Sequence, residues 1–326
     1  MNNYVAVKVK KENFEFDSFA ETDNGKYIGQ ILWYTVSEMS ATREQIQDSL
    51  SKSGLPERYL PKLISVRDAF RKATTLIEKK KISIDPDNKK YLNILVREVK
   101  SSDDVLIRQV VREIVDAQNV RLEYTPVANL KLEGEIYSDE AIEQLNAYEY
   151  DALKNTFEDF KRAKNEYDGR RIREIVQNIL GDCYPVALRP SGGVHFVPQS
   201  HYEQIVKLSR FLSELMSNAA YANGKTKLYH IPLIDTAEQR DMIRESLEEQ
   251  TKKEGQMLIE DLNKAIQSGA KITKRGVASY MEQARRLKDM VKKYEDMLET
   301  KIFYAQSTVQ LVQEHIKKML QNVEIE

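Results

Sequence analysis

Cysteine is almost missing: the 326 residues include one, Cys183. A single thiol closes no internal disulfide, which excludes a disulfide-stapled secreted scaffold and points to a reducing, cytoplasmic setting. Long apolar runs are missing too. No stretch approaches the roughly 20 apolar residues of a membrane span, so no membrane partner is expected. The opening MNNYVAVKVKKENFEF has neither the apolar core nor the cleavage pattern of a leader. Charge of one sign is also absent. The 50 Lys and Arg set against 51 Asp and Glu leave a net charge of −1. That removes any global attraction to nucleic acid or anionic lipid and leaves only local patches. Neither a Walker A pattern nor GxGxxG occurs, and there is no internal repeat or low-complexity tract.

What is present suffices for a packed core. Hydrophobic residues make up 41% and charged residues 31% of the chain, and a mean hydropathy of −0.57 indicates long solvated helices rather than disorder. The length suits about two or three domains. Residues 4–9 alternate as an edge strand, and YIGQILWYTV (27–36), with the only tryptophan, Trp33, reads as another. Thr42 and Gln45 form a capping box opening a helix that Gly54 and Pro56 end, and Ser65 with Asp68 repeats the box before VRDAFRKATTLIEKK. A DNA-binding helix-turn-helix needs a tight turn. The intervening GLPERYLPKLI, with two prolines, argues against one.

From 91 to 136 the pattern alternates. YLNILVREV, DVLIRQVVREIV, VRLEYTPV and LKLEGEI read as strands, with turns at 116–119 and 126–129. The second also fits helical spacing, but its β-branched content favours a strand. Ser138, Asp139 and Glu140 start a helix to about 180, with Gly169 as an interruption. CYPVAL, FVP, an amphipathic helix with Ile205, Leu208, Leu212 and Leu215 on one face, and TKLYHIPLID make a small α/β module. After Thr236 the chain is helical, with breaks near Gly269 and Gly276. A seam runs Leu287, Val291, Tyr294, Leu298, Ile302, Ala305, Val309, Val312, Ile316 and Met319, with a stutter at Tyr294–Leu298–Ile302. The helices either fold back through QSGAKITKRG or pair between chains as a homo-oligomer. The expected architecture is α+β: a β-rich domain (1–136), a connecting long helix (137–181), an α/β hairpin module (182–235) and a helical, coiled-coil hairpin (236–326).

RPSGGVHFVP (189–198) is the most pointed stretch. A phosphate loop places its glycines before a helix N-terminus. Ser191-Gly192-Gly193 stands between strands, where glycine supplies the positive φ of a hairpin turn. Arg189 on its rim is a candidate bidentate clamp for a carboxylate or phosphate, and His195 is its companion in a candidate ligand site. A zinc site draws ligands in pairs a few residues apart. His195 and His201 are six apart on different elements, and His230 and Cys183 add no pair, so no metal is expected. Nothing around Cys183 resembles a cysteine-protease signature, and carboxylate pairs such as Asp103/Asp104 and Glu248/Glu249 sit in turns or on solvated faces. No catalytic residue is assigned and no cofactor is expected. Basic residues 161–173 are interleaved with acids. Lys271, Lys274, Arg275, Arg285, Arg286, Lys288, Lys292 and Lys293 have fewer acidic neighbours and form the candidate nucleic-acid surface.

The blocks WYTV, SATREQI, GLPERYLP, DAFRKAT, VREVK, VVREIVDAQ, RPSGGVHFVP and IPLIDTAEQRDMI, in this order, resemble a family of uncharacterised proteins. Its members occur in bacteriophages, prophages and some archaea, and carry only a domain-of-unknown-function label. The resemblance covers about residues 27–245 and carries over no catalytic residue. It implies a mobile-element setting, and host cytoplasm if phage-encoded. The expected function is non-catalytic: binding a protein partner, such as host or defence machinery, with or without oligomerisation through the tail. Nucleic-acid binding by the basic C-terminal helices is the alternative, and an enzyme or ligand site at Arg189 and His195 ranks third.

Overall fold

The computed structural model describes residues 26–268 and 271–322. The alternating stretch 4–9 lies outside them. In chain order the elements are β1 (Tyr27–Thr35), β2 (Glu38–Thr42), α1 (Arg43–Lys52), α2 (Val66–Thr75), β3 (Lys79–Asp85), β4 (Lys90–Ser101), β5 (Val105–Val115), β6 (Arg121–Glu133) and β7 (Ile136–Ala141). They continue with α3 (Ala147–Leu153), α4 (Thr156–Asn165), β8 (Glu166–Asp168), α5 (Gly169–Gly181), β9 (Val186–Ala187), β10 (His195–Pro198), α6 (Tyr202–Asn218), β11 (Tyr221–Asn223) and β12 (Lys227–Ile234). The last are α7 (Ala237–Gln267), α8 (Lys274–Leu298) and α9 (Phe303–Asn322). The fold is α+β.

Two compact units are each assembled from separate stretches of chain. A helical unit comprises the described parts of Met1–Trp33, Gly181–Ile205 and Tyr229–Glu326, and a sheet unit comprises Tyr34–Leu180 and Val206–Leu228. The four consecutive segments read from the sequence cut across this division.

In the sheet unit, β3-β4-β5-β6-β7 form one five-stranded antiparallel sheet. Alternation explains its core. Leu92, Ile94 and Val96 of β4, with Leu106 and Val110 of β5 and Leu130 and Leu132 of β6, face Ala69, Phe70 and Ala73 of α2 and Phe160 of α4. Full burial of each large apolar side chain contributes roughly 1.5–3 kcal/mol. The Thr42 capping box is present, with Gln45 N donating to Thr42 Oγ1 at 3.3 Å and Thr42 N to Gln45 Oε1 at 2.8 Å. Ser65 makes no such bond, and the Asp68 carboxylate lies 3.6 Å from Arg71.

Three expectations are corrected here. VRLEYTPV and LKLE are one strand, because the register steps from Val110↔Ala128 to Val111↔Pro126 and leaves Val127 as a bulge. A bulge is where a central strand tolerates a proline that lacks the ladder N–H. The lysine-rich end of the supposed second helix is β3, an edge strand whose polar residues mask its alternation. Ser138 caps nothing: 136–141 pair with β6 in the register Lys131↔Ser138, and ladder bonds override local helical preference. The helix expected to run to 180 is therefore β7, α3, α4, β8 and α5. Asn146 and Glu149 form the capping box that opens α3. A Cβ on Gly169 would lie 2.7 Å from Ser37 O, which fixes glycine where α5 begins.

In the helical unit, β12-β1-β10-β9 form a four-stranded sheet. The seam residues Leu287, Val291, Tyr294, Leu298, Ile302, Ala305, Val309, Val312, Ile316 and Met319 are all buried within this one chain, clustered with Ile243, Leu247, Leu258 and Leu262 of α7. These side chains of the candidate oligomer seam therefore already have partners within the chain. The supposed stutter is a break between two helices. Glu299 takes a left-handed φ of 54°, and Glu295, itself buried, accepts from Ile302 N at 2.8 Å and Gln306 Nε2 at 2.7 Å. The tail is thus three helices rather than two, with α7 packed most extensively on α9. Gly255 permits that approach, since a Cβ there would lie 2.3 Å from Thr308 Cγ2.

Candidate functional site

RPSGG is a hairpin loop. β9 and β10 pair through His195↔Ala187 and Phe196↔Val186, Leu188 N donates to Val194 O at 3.0 Å, and Gly192 N donates to Arg189 O at 2.9 Å. Gly192 and Gly193 take φ of 75° and 85°, with nothing within 4 Å of a Cβ at either. Conformation, not crowding, requires glycine there. The loop and α7 enclose a cleft of about 450 Å³ that brings Arg189 and His195 together with Glu249, Gln250, Lys253 and Glu254.

Arg189 bonds Ser191 Oγ at 3.0 Å. His195 Nδ1 is buried with no hydrogen-bond partner among the described residues, and burial pushes the imidazole below its usual range. Arg189 and Lys253 are offset by Glu249 and Glu254, so the cleft has no surplus charge with which to select an anion. Gln250 closes the sheet edge here. Its Oε1 accepts from Ala187 N at 2.8 Å and its Nε2 donates to Pro185 O at 3.2 Å, as a neighbouring strand would.

The other polar candidates separate. His201 lies against the Tyr184 ring and His230 Nδ1 is 3.2 Å from Gln30 Oε1. Among the described residues no three His, Cys, Asp or Glu gather as metal ligands. Cys183 is fully buried, and burial, with Asp182 nearby, pushes its thiol up to about 12. The thiolate is the reactive form. Iodoacetamide at pH 8 is therefore expected to leave Cys183 unmodified in the native protein and to alkylate it in denaturant, as read by intact mass. Rapid native alkylation would contradict this burial.

The basic row does not stay a row. Arg286 donates to Gly181 O at 2.7 Å, Lys293 sits 4.4 Å over the Tyr184 ring, and Arg285 grips Glu282 at 2.8 and 3.1 Å. Lys271, Lys274, Arg275, Lys288 and Lys292 are exposed.

A second concavity, in the sheet unit, was hidden from sequence reading. Asp139, Glu140 and Ala141 of β7 form one wall, Ala128 part of the floor, and Leu145, Tyr150, Leu153, Lys154 and Phe157 the helical wall of a groove of about 270 Å³. It exists because the cross-strand pair Ala128↔Ala141 is small where neighbouring pairs carry Leu130 and Leu132. Tyr150 is 65% and Phe157 46% exposed. Phe157 is held by stacking on Tyr137, centroids 5.6 Å apart. α3 is fixed from beneath by the fully buried Glu149 carboxylate, which accepts from Arg112 at 2.7 and 2.8 Å and from Asn146 N at 2.9 Å. The sequence signal was EGEIY, a hairpin turn at Gly134 (φ 59°) that commits the following residues to a strand.

A family model described as a family of unknown function, DUF6744, matches residues 27–325. The chain belongs to DUF6744. That match runs past 245 through all three C-terminal helices, so the DUF6744 pattern takes in the tail as well as the blocks that carry the resemblance. No curated protein and no solved structure matches the chain. No helix among the described residues is long and apolar enough to cross a membrane.

Proposed function

We propose that this DUF6744 chain is a non-catalytic interaction protein that binds a protein partner. The observation that carries the reading is the groove beside β7, where exposed Tyr150 and Phe157 flank a strand at the sheet margin. Aromatic side chains on a concave rim are typical anchors of protein recognition. The ordered blocks RPSGGVHFVP and IPLIDTAEQRDMI support a phage-type setting and, with it, a partner in host or defence machinery. Oligomerisation through the tail has no support, because its seam is buried within the chain.

Affinity capture with wild-type protein and a Tyr150→Glu/Phe157→Glu variant, both checked for folding by circular dichroism, tests the reading. A protein held by the wild type and lost from the variant is expected. Equal recovery on both would remove the groove from the function. The second reading, nucleic-acid binding, rests on exposed Lys274, Arg275, Lys288 and Lys292, and fails if DNA and RNA give no mobility shift at low salt.

A further inference from the structure

β7 is the outermost strand of its sheet, with β6 on one side and no strand on the other among the described residues. The direction of its backbone groups follows from one bond. Ile142 N donates to Val127 O at 2.9 Å, so residue 142 faces β6. In an antiparallel pair the residues that bond the neighbour alternate with those that do not. Ser138 and Glu140 therefore face β6, and the N–H and C=O groups of Tyr137, Asp139 and Ala141 point outward. These same three residues place their side chains on the groove side of the sheet: Tyr137 stacks on Phe157, and Asp139 and Ala141 line the groove.

Charge narrows the occupant. Asp139 and Glu140 line the groove and Glu143 follows them, all exposed. The one cation lining it, Lys154, is held by Asp151, and Lys161 beside Phe157 is paired with Glu158 at 2.9 Å. The rim is therefore net acidic. Native edge strands usually carry a guard against strand addition, such as a proline or a covering side chain. Gln250 is such a guard on β9, whereas β7 has only its two carboxylates.

We propose that β7 takes up an extended peptide segment of a partner protein as an added strand, with lysine or arginine side chains alternating with apolar ones. Main-chain bonds form to residues 137, 139 and 141, an apolar side chain enters the groove at Ala141 between Tyr150 and Phe157, and the basic side chains that alternate with it lie on the opposite face against Glu140, with Asp139 adding acidic charge at the rim. This rests on the protein-binding reading above and states its mode and chemistry.

The test is selection of a random decapeptide display library on the full chain, followed by fluorescence polarisation with the selected peptides. Enriched peptides are expected to alternate basic and apolar residues. Asp139→Pro removes an outward N–H without touching the β6 ladder, and is expected to weaken them about tenfold or more, the scale of losing one or two hydrogen bonds. Ala141→Phe, which fills the groove from an exposed position, should weaken them as well and serves if the proline variant misfolds. Asp139→Lys/Glu140→Lys should turn the selection toward acidic peptides. No enrichment, peptides that bind these variants like the wild type, or a wild-type dimer abolished by Asp139→Pro would overturn the proposal. If Tyr150→Glu/Phe157→Glu loses the captured protein while the edge variants keep it, the protein-binding reading stands and strand addition falls.

Discussion

Replacing Arg112 with methionine is expected to cost the sheet unit about 3–5 kcal/mol, the usual penalty for leaving a buried charge uncompensated. Glu149 is fully buried, and its two carboxylate oxygens are met by Arg112 Nε and Nη2 at 2.7 and 2.8 Å. Methionine keeps much of the aliphatic bulk and removes all the donors. Arg112→Lys retains a charge but not the two-pronged geometry, and falls between. The double variant Arg112→Met/Glu149→Met recovers much of the loss, because a buried ion pair replaced whole by apolar side chains is often neutral. Hydrogen exchange of the α3 and β5 amides reads the effect in the right unit. Exchange in the single variant that matches the wild type would mean that Glu149 is not desolvated. The pair also fixes the helical wall of the groove, so Arg112→Met should weaken any ligand bound there.

The second large effect lies in the helical unit. Tyr294→Ala is expected to cost about 3–5 kcal/mol, since it removes a large ring from a packed core that closes only partly around the cavity. Tyr294 is fully buried, meets Phe196 edge-on with centroids 6.1 Å apart, and donates to Tyr184 O at 2.8 Å. Tyr294→Phe isolates the hydroxyl, and about 1–3 kcal/mol is expected from leaving that carbonyl without its donor. Trp33, the single tryptophan, belongs to this unit and stacks on Tyr229 at 5.5 Å. Its fluorescence during urea unfolding therefore reports the loss. An unchanged midpoint for Tyr294→Ala would contradict the packing described.

Where local residues carried the decision, the elements were legible. Thr42 with Gln45, the Asp116–Asn119 turn and the hairpin at Gly192 and Gly193 each depend on neighbours in sequence, and β-branched content decided for a strand in VLIRQVVREIV although its spacing also fits a helix. Elements whose identity depends on a distant partner were misread. SDEAI has helix-start chemistry and becomes a strand because Lys131 lies opposite Ser138. The final KK of VRDAFRKATTLIEKK reads as a helix end, and Lys79 and Lys80 instead begin an edge strand because β4 lies beside it. The groove was missed for the same reason. Its walls come from 139–141 and from 145–157, and the small floor pair Ala128↔Ala141 is a cross-strand fact.

By itself the sequence determined the α+β class, the apolar seam from Leu287 to Met319, the turn glycines and the family, because each is carried by short-range spacing or by ordered blocks. Only the tertiary structure decided that the seam is satisfied inside one chain, that Arg286 and Lys293 hold the Gly181–Tyr184 stretch, and that β7 is left with an open edge. The physical reason is the same in all three cases. Period and charge say which side chains seek a partner, but the choice among partners belongs to the packing, which burial and hydrogen bonding settle across long separations in sequence.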